Sequence, residues 1–326
     1  MLQLVADVLL TILAPILLMV LIGAVMRWRL RIDVATLGKL NIYLFVPVYV
    51  FEYVSTSELK WEEMVGIFGI TVLQILTLGL IIWGIGRMLR ISRNTLAAIA
   101  LAVMFYNSGN YGLPLAQLAY PARTGEHNGA AVQAFVMMAV NLLTFTVGMG
   151  IAAAAHHGGI GKGLVVLLRL PILPGLAAGI LAQWWLKTGH HLPIAISKTS
   201  HYLSDGLVPV ALITLGAQLA SNPRWPRWKP VGLVLILRLI FGPLQMAGLL
   251  FLLHKTGYQP IDLWPWPAEL LVLTASVPTA VNTLLLTLEI GGDAELAADC
   301  VFWTTVCSCV TITGWLIVLR TVSWFH

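Results

Sequence analysis

Inside an otherwise apolar stretch, residues 105–115 read Phe-Tyr-Asn-Ser-Gly-Asn-Tyr-Gly-Leu-Pro-Leu. Asn107, Ser108 and Asn110 place uncharged donors and acceptors there, which can bind a small anion or tie one helix to another. Pro114 has no amide proton and clashes with the carbonyl four residues back, while Gly109 and Gly112 weaken the flanking turns, so a helix is expected to break here. A second interruption falls at 274–283, Thr-Ala-Ser-Val-Pro-Thr-Ala-Val-Asn-Thr, and carries Pro278, Thr279 and Asn282. Backbone groups freed by a break cannot face lipid; they must be buried in protein or line a watered cavity. Paired interruptions in corresponding halves of a chain point to a transport site. The plainer alternative is a pair of proline kinks whose amides bond only between helices.

Charged residues inside apolar stretches are the second source of chemistry. Arg238 could be an anion counter-charge, or could snorkel to the cytoplasmic face or pair with Asp299. Glu52 and Glu269 could carry protons or cations, with residence at the interface as the alternative. Asn141 could contact a substrate or make an interhelical hydrogen bond. The histidines, including His156-His157 and His190-His191, form no metal-ligand spacing on one helix face. Cys300, Cys307 and Cys309 share one apolar segment and read as small buried hydrophobes rather than disulfide or metal ligands. No metal or cofactor is expected.

These residues must be positioned by membrane helices. Of 326 residues, 59% are hydrophobic and 10% charged, too little polar surface to solvate a globule of this size. The net charge of +5 suits loops facing anionic headgroups, and no basic run is interleaved with aromatics as nucleic-acid binding would need. Apolar runs of spanning length predict ten helices: 4–26, 37–54, 65–85, 95–119, 132–154, 164–186, 203–220, 231–253, 268–288 and 296–318. The first lacks a basic lead and a cleavage site, so it is expected to stay as a membrane helix rather than be removed as a signal peptide. Odd-numbered loops hold Arg27, Arg29, Arg31, Lys39, Arg87, Arg90, Arg93, Lys162, Arg224, Arg227 and Lys229. Even-numbered loops and the tail hold Lys60, Arg123, Lys187, Lys198, Lys255 and Arg320. That excess places the odd loops in the cytoplasm and both termini outside.

The two halves resemble each other. Pro15-Ile16-Leu17, Gly23, Trp28 and Leu30 recur as Pro171-Ile172-Leu173, Gly179, Trp184 and Leu186; Val46-Pro47-Val48 recurs as Val208-Pro209-Val210, and Pro114 as Pro278. Five helices is an odd number, so a second copy must be inverted. The expected organisation is one integral membrane unit made of a first repeat, 1–155, and a second, 156–326.

The run Asn107-x-Gly109-Asn110-x-Gly112-Leu113-Pro114 resembles the signature of auxin efflux carrier family proteins. The resemblance extends from Val46-Pro47-Val48 through Leu215-Gly216-Ala217-Gln218-Leu219 and Pro278 into the last helix. It implies an all-α fold of ten transmembrane helices in two inverted repeats, helices 4 and 9 crossing near their prolines, with a scaffold-and-transport division like that of bile acid sodium symporters. Substrates in such a family are organic anions, auxin-like monocarboxylates or dicarboxylates such as malate or malonate. Carried over by position, Asn107, Asn110 and Asn282 would contact substrate, and Pro114 and Pro278 would set the crossing. The short loops look bacterial, which implies a cytoplasmic (inner) membrane location.

The expected function is therefore a secondary transporter moving a small organic anion by alternating access in an elevator-like manner. Proton, sodium or no coupling stays open, as does a homodimer. A non-transporting sensor with the same fold would not need two costly breaks. A membrane-embedded enzyme would need an acid–base pair, an activated nucleophile or a metal cluster, none of which the sequence offers.

Overall fold

The protein is described by a computed structural model covering residues 6, 8–121, 129–156, 171–220, 225–257, 263–290 and 292–321. Arg123, Lys162, Arg224, His157 and the expected span starts at Leu4 and Leu164 lie outside the described residues.

Every regular element among the described residues is helical. In chain order these are α1 (Ala14–Leu30), α2 (Val34–Ser55), α3 (Trp61–Met88), α4 (Arg93–Met104) and α5 (Leu113–Ala119). They continue with α6 (Gly129–Ala152), α7 (Ile172–Lys187), α8 (Ile194–Leu219) and α9 (Trp228–Lys255), then α10 (Ala268–Ala275), α11 (Val281–Ile290) and α12 (Ala294–Thr321). Asp33 starts α2 by accepting from the amides of Ala35 at 3.2 Å and Thr36 at 3.0 Å. The Thr36 hydroxyl bond and those amides hold its carboxyl below the usual range. Ser92 caps α4 through the Thr95 amide.

Among the described residues six helices are long and apolar enough to cross a membrane: α2, α3, α6, α8, α9 and α12. The other four expected spans differ for identifiable reasons. In the described residues α7 has 16 residues, just under spanning length, while α1 counts 17 but continues without a break from the π-helical turn Val8–Leu13, so that the first helical stretch runs over 8–30. The fourth and ninth spans are each two helices, α4 with α5 and α10 with α11, because the chain unwinds between them.

Several helices contain a wide π-helical turn: Asn41–Phe45 in α2, Ser108–Gly112 leading into α5, Thr144–Gly148 in α6 and Leu237–Phe241 in α9. Such turns are rare and leave part of the backbone ladder to be satisfied from elsewhere. Asn41, Asn110 and Arg238 all sit in them.

The chain forms two compact units. The first comprises Met1–Trp61, Gly109–Met138 and Leu168–Pro223; the second comprises Glu62–Ser108, Ala139–Leu167 and Arg224–His326. Within the first, α1 packs on α8 and α2 on α7 at backbone distance. A Cβ added to Gly216 would lie 1.8 Å from the Val20 carbonyl oxygen, and one on Gly23 would lie 2.0 Å from that of Ile213. On the other pair, a Cβ on Gly175 would sit 2.6 Å from the Pro47 oxygen. In lipid no hydrophobic force drives helices together, so close contact through small residues supplies the attraction.

Candidate functional site: the interrupted helices

The second unit holds both sides of an interruption. α4 ends at Met104 and the chain runs extended through Phe105–Asn107; α10 ends at Ala275 and the chain unwinds before Val281. The two unwound stretches pair as an isolated antiparallel bridge, Tyr106 with Thr279. The Asn107 amide donates to the Pro278 carbonyl at 2.8 Å, and the Ala280 amide to the Phe105 carbonyl at 3.0 Å. Backbone groups that helix breaking would leave open are thus satisfied by each other, as burial in a membrane requires.

Side chains complete the closure. Thr279, fully buried, donates through Oγ1 to the Ala102 carbonyl at 2.8 Å, while its amide donates to Thr304 Oγ1 of α12 at 3.1 Å. Arg238 is 0% exposed. Its Nη1 donates to the Val103 carbonyl at 2.8 Å and its Nη2 to the Ala275 carbonyl, and its guanidinium lies 4.7 Å from the Tyr106 ring centre. One cation therefore bonds the last turns of both α4 and α10, where the helix dipoles are negative.

This corrects two expectations. Arg238 neither snorkels nor pairs with Asp299, because two open helix ends offer it carbonyls at depth. Asp299, 7% exposed, instead accepts from the Arg227 amide at the start of α9, at 3.3 Å. The break in the fourth span lies at 105–107, well before Pro114. Pro114 follows directly on the π-helical turn Ser108–Gly112, whose wide ladder accommodates a residue without an amide proton, so it lies inside the resumed helix and not in the break. Pro278 does lie within its break.

The expected binding residues divide. Asn107 and Ser108 are buried, at 7% and 3% exposed, at the end of the unwound stretch. Thr279 is taken up by the closure. Asn282, in the first turn of α11, and Asn141, on α6, are half-buried, and neither side chain makes a hydrogen bond among the described residues. α11 packs against the π-helical turn Thr144–Gly148 that follows Asn141 on α6.

Asn110 belongs to the first unit, and its Oδ1 accepts from Asn41 Nδ2 at 2.6 Å. Asn41, 0% exposed, was missed by sequence reasoning, although a lone asparagine inside the apolar run 37–54 was a readable signal. Gly109 and Gly112 flank Asn110 in the π-helical turn Ser108–Gly112. Glu52, also in the first unit, accepts from the Ser200 hydroxyl and lies 3.8 Å from His201 Nδ1.

Spanning-length apolar helices beside two interrupted ones define an integral membrane protein. Residues 163–316 match the model of a family described as "Membrane transport protein". An "Uncharacterized transporter" of Methanothermobacter thermautotrophicus is 29% identical over 88% of this chain and 89% of its own length. A "Putative malonate transporter" of Rhizobium meliloti is 29% identical over 87% of each chain. An "Uncharacterized transporter" of Methanocaldococcus jannaschii is 25% identical over 86% of this chain and 87% of its own. The chain is thus similar to membrane transport proteins over residues 163–316 and to these transporters over most of its length, which supports membrane transport as its function and is consistent with the auxin efflux carrier resemblance.

Proposed function

We propose that the protein is a secondary carrier of a small organic anion, a carboxylate of the size of malonate, working by alternating access. The single observation that carries this reading is the closed interruption in the second unit, with Asn282 and Asn141 left half-buried and without side-chain partners among the described residues. A fixed positive charge at Arg238 and the N-terminal amides of α11, a 10-residue helix, favour a carboxylate over a cation. The relative named for malonate supports a dicarboxylate. Division of the chain into two compact units suits an elevator-like motion, in which the unit bearing the interruption shifts across the bilayer.

The reading includes ten spans in two inverted repeats, 1–155 and 156–326, in the inner membrane with both termini outside. Contacts in the first unit support it. Gly23 of α1 meets Ile213 of α8, and its counterpart Gly179 of α7 meets Val54 and Phe51 of α2. The same contact recurs with the halves exchanged, as a two-fold related pair of repeats requires.

The test is malonate binding by thermal shift, followed by flux in proteoliposomes. Asn282→Cys, in a background with Cys300, Cys307 and Cys309 replaced, should react with small aqueous thiol reagents. Leu286→Cys, at a position 2% exposed one turn on, should stay protected. Equal protection at both, with no carboxylate shifting the melting temperature, would remove the site. A reporter fused after His326 that works only in the cytoplasm would remove the topology.

A further inference from the structure

In carriers with discontinuous helices, unwound carbonyls and half-helix C-terminal ends are where a coupling cation is held. Here those ends are already occupied by the chain itself. The Arg238 guanidinium bonds Val103 O near the end of α4 and Ala275 O at the end of α10. It makes no ion pair among the described residues, so its charge is matched only by the helix-end carbonyls and the Tyr106 face.

The surroundings are built to keep it there. Arg238 projects from the π-helical turn Leu237–Phe241. The next residue is Gly242, where an added Cβ would come within 3.1 Å of Arg238 Nη2. The Gly242 carbonyl is in turn held by Gln74 Nε2 of α3 at 3.2 Å. A guanidinium stays protonated at any pH the protein meets and presents a rigid planar fork, so it can bridge two carbonyls that a single ammonium reaches less well.

We infer that Arg238 is a tethered replacement for an exchangeable coupling cation: it holds the ends of the two half-helices together, and sodium does not bind these carbonyls. The inference rests on the carrier reading for its meaning in transport, but its first test requires no transport.

The purified protein is melted in sodium, lithium, potassium and N-methylglucamine chloride at equal ionic strength. The native chain should melt at one temperature in all four. Arg238→Gln removes the charge and leaves the carbonyls open. It should melt lower and gain a saturable rise of roughly 5 °C in sodium or lithium over N-methylglucamine, the size expected when a ligand well above its Kd binds only the folded state. Arg238→Lys keeps a tethered charge and should respond to no cation. A merely structural arginine would lower the melting temperature without creating this selectivity.

A saturable sodium-specific rise in the native protein would overturn the inference. So would an Arg238→Gln variant that folds without a cation response, or that folds in none of the four salts, or a lysine variant that responds as glutamine does. In proteoliposomes, flux of the native protein should be unchanged when sodium is replaced. Absence of any flux, with the melting pattern as expected, would defeat the carrier reading and leave the tethered cation standing.

Discussion

In the first unit helix backbones touch directly, whereas in the second backbone groups opened by breaks are closed by one another and by side chains. Glycines at 23, 175, 179 and 216 allow the former, and the polar residues there pair with each other: Asn41 with Asn110, and Gln117 with both Tyr49 and Tyr53. Arg238, Thr279 and Thr304 achieve the latter. The first unit should therefore be intolerant of added volume, and the second of lost donors. A packed pair of helices is stable in one arrangement. An interruption closed by hydrogen bonds keeps polar groups buried inside an apolar helix pair, which is what the proposed carboxylate site requires.

The sharpest way to break this comparison is Arg238→Met, which keeps bulk and removes the donors. Two buried carbonyls left without them should cost roughly 2–6 kcal/mol, taking about 1–3 kcal/mol for each unsatisfied group. Denaturant or thermal unfolding of the reconstituted protein measures it, and a cost within experimental error would mean that the helix ends do not need the guanidinium.

Next in size is Gly216→Ala. One methyl placed 1.8 Å from a carbonyl oxygen forces α1 and α8 apart, at about 3 kcal/mol, the upper end of the overpacking range. The same change at Gly232, where a Cβ meets nothing within 4 Å, should be neutral and serves as the control. Equal effects at both positions would refute backbone contact as the source of the first unit's stability.

Asn282→Ala separates function from folding. It removes a side chain that bonds to nothing among the described residues, so the melting temperature of the free protein should hold. Substrate affinity should fall about ten- to a hundred-fold, the worth of roughly 1.5–3 kcal/mol for a hydrogen bond to a charged group. Unchanged binding in proteoliposomes would take Asn282 out of the site.

The smallest effect is expected at the pair Arg227–Asp293, 2.6 Å apart ahead of α9 and α12. Partial burial pushes the Asp293 carboxyl up, but the Arg227 hydrogen bond, the Leu296 amide and the Arg227 charge outweigh it and hold the value below its ordinary 3.8. With the folded value lowered, the pair stabilises the protein above pH 3.8 and that contribution is lost as pH falls through the lowered value. Because Arg227 is 46% exposed, the contribution should be below about 1 kcal/mol and shrink with salt. Comparing the acid unfolding of Asp293→Asn with that of the native protein measures it.

Much of this was legible in the sequence. Apolar runs of spanning length located the long helices, since a 30 Å hydrocarbon layer sets a length that composition reveals directly. Asn107, Pro278 and Asn282 announced the interruptions, because glycine, proline and asparagine inside an apolar run have few other uses. The position of the first break was not legible. Pro114 looked like the breaker, yet it lies inside the resumed helix, and the chain unwinds at Phe105–Asn107, which carries neither proline nor glycine. Local preference permits a helix there; pairing with Pro278 and Ala280 across the interruption overrides it.

What the sequence by itself determined is a membrane protein with two polar interruptions, because lipid excludes unpaired backbone and charge so strongly that each exception leaves a mark. What only the tertiary structure decided is who satisfies whom. Arg238 is separated from Val103 by 135 residues and from Ala275 by 37, and Asn41 from Asn110 by 69. No local pattern encodes those partners. A buried cation seeks whatever acceptors the fold brings within reach, and here these were the carbonyl ends of two broken helices rather than the carboxylate or membrane surface that spacing along the chain suggested.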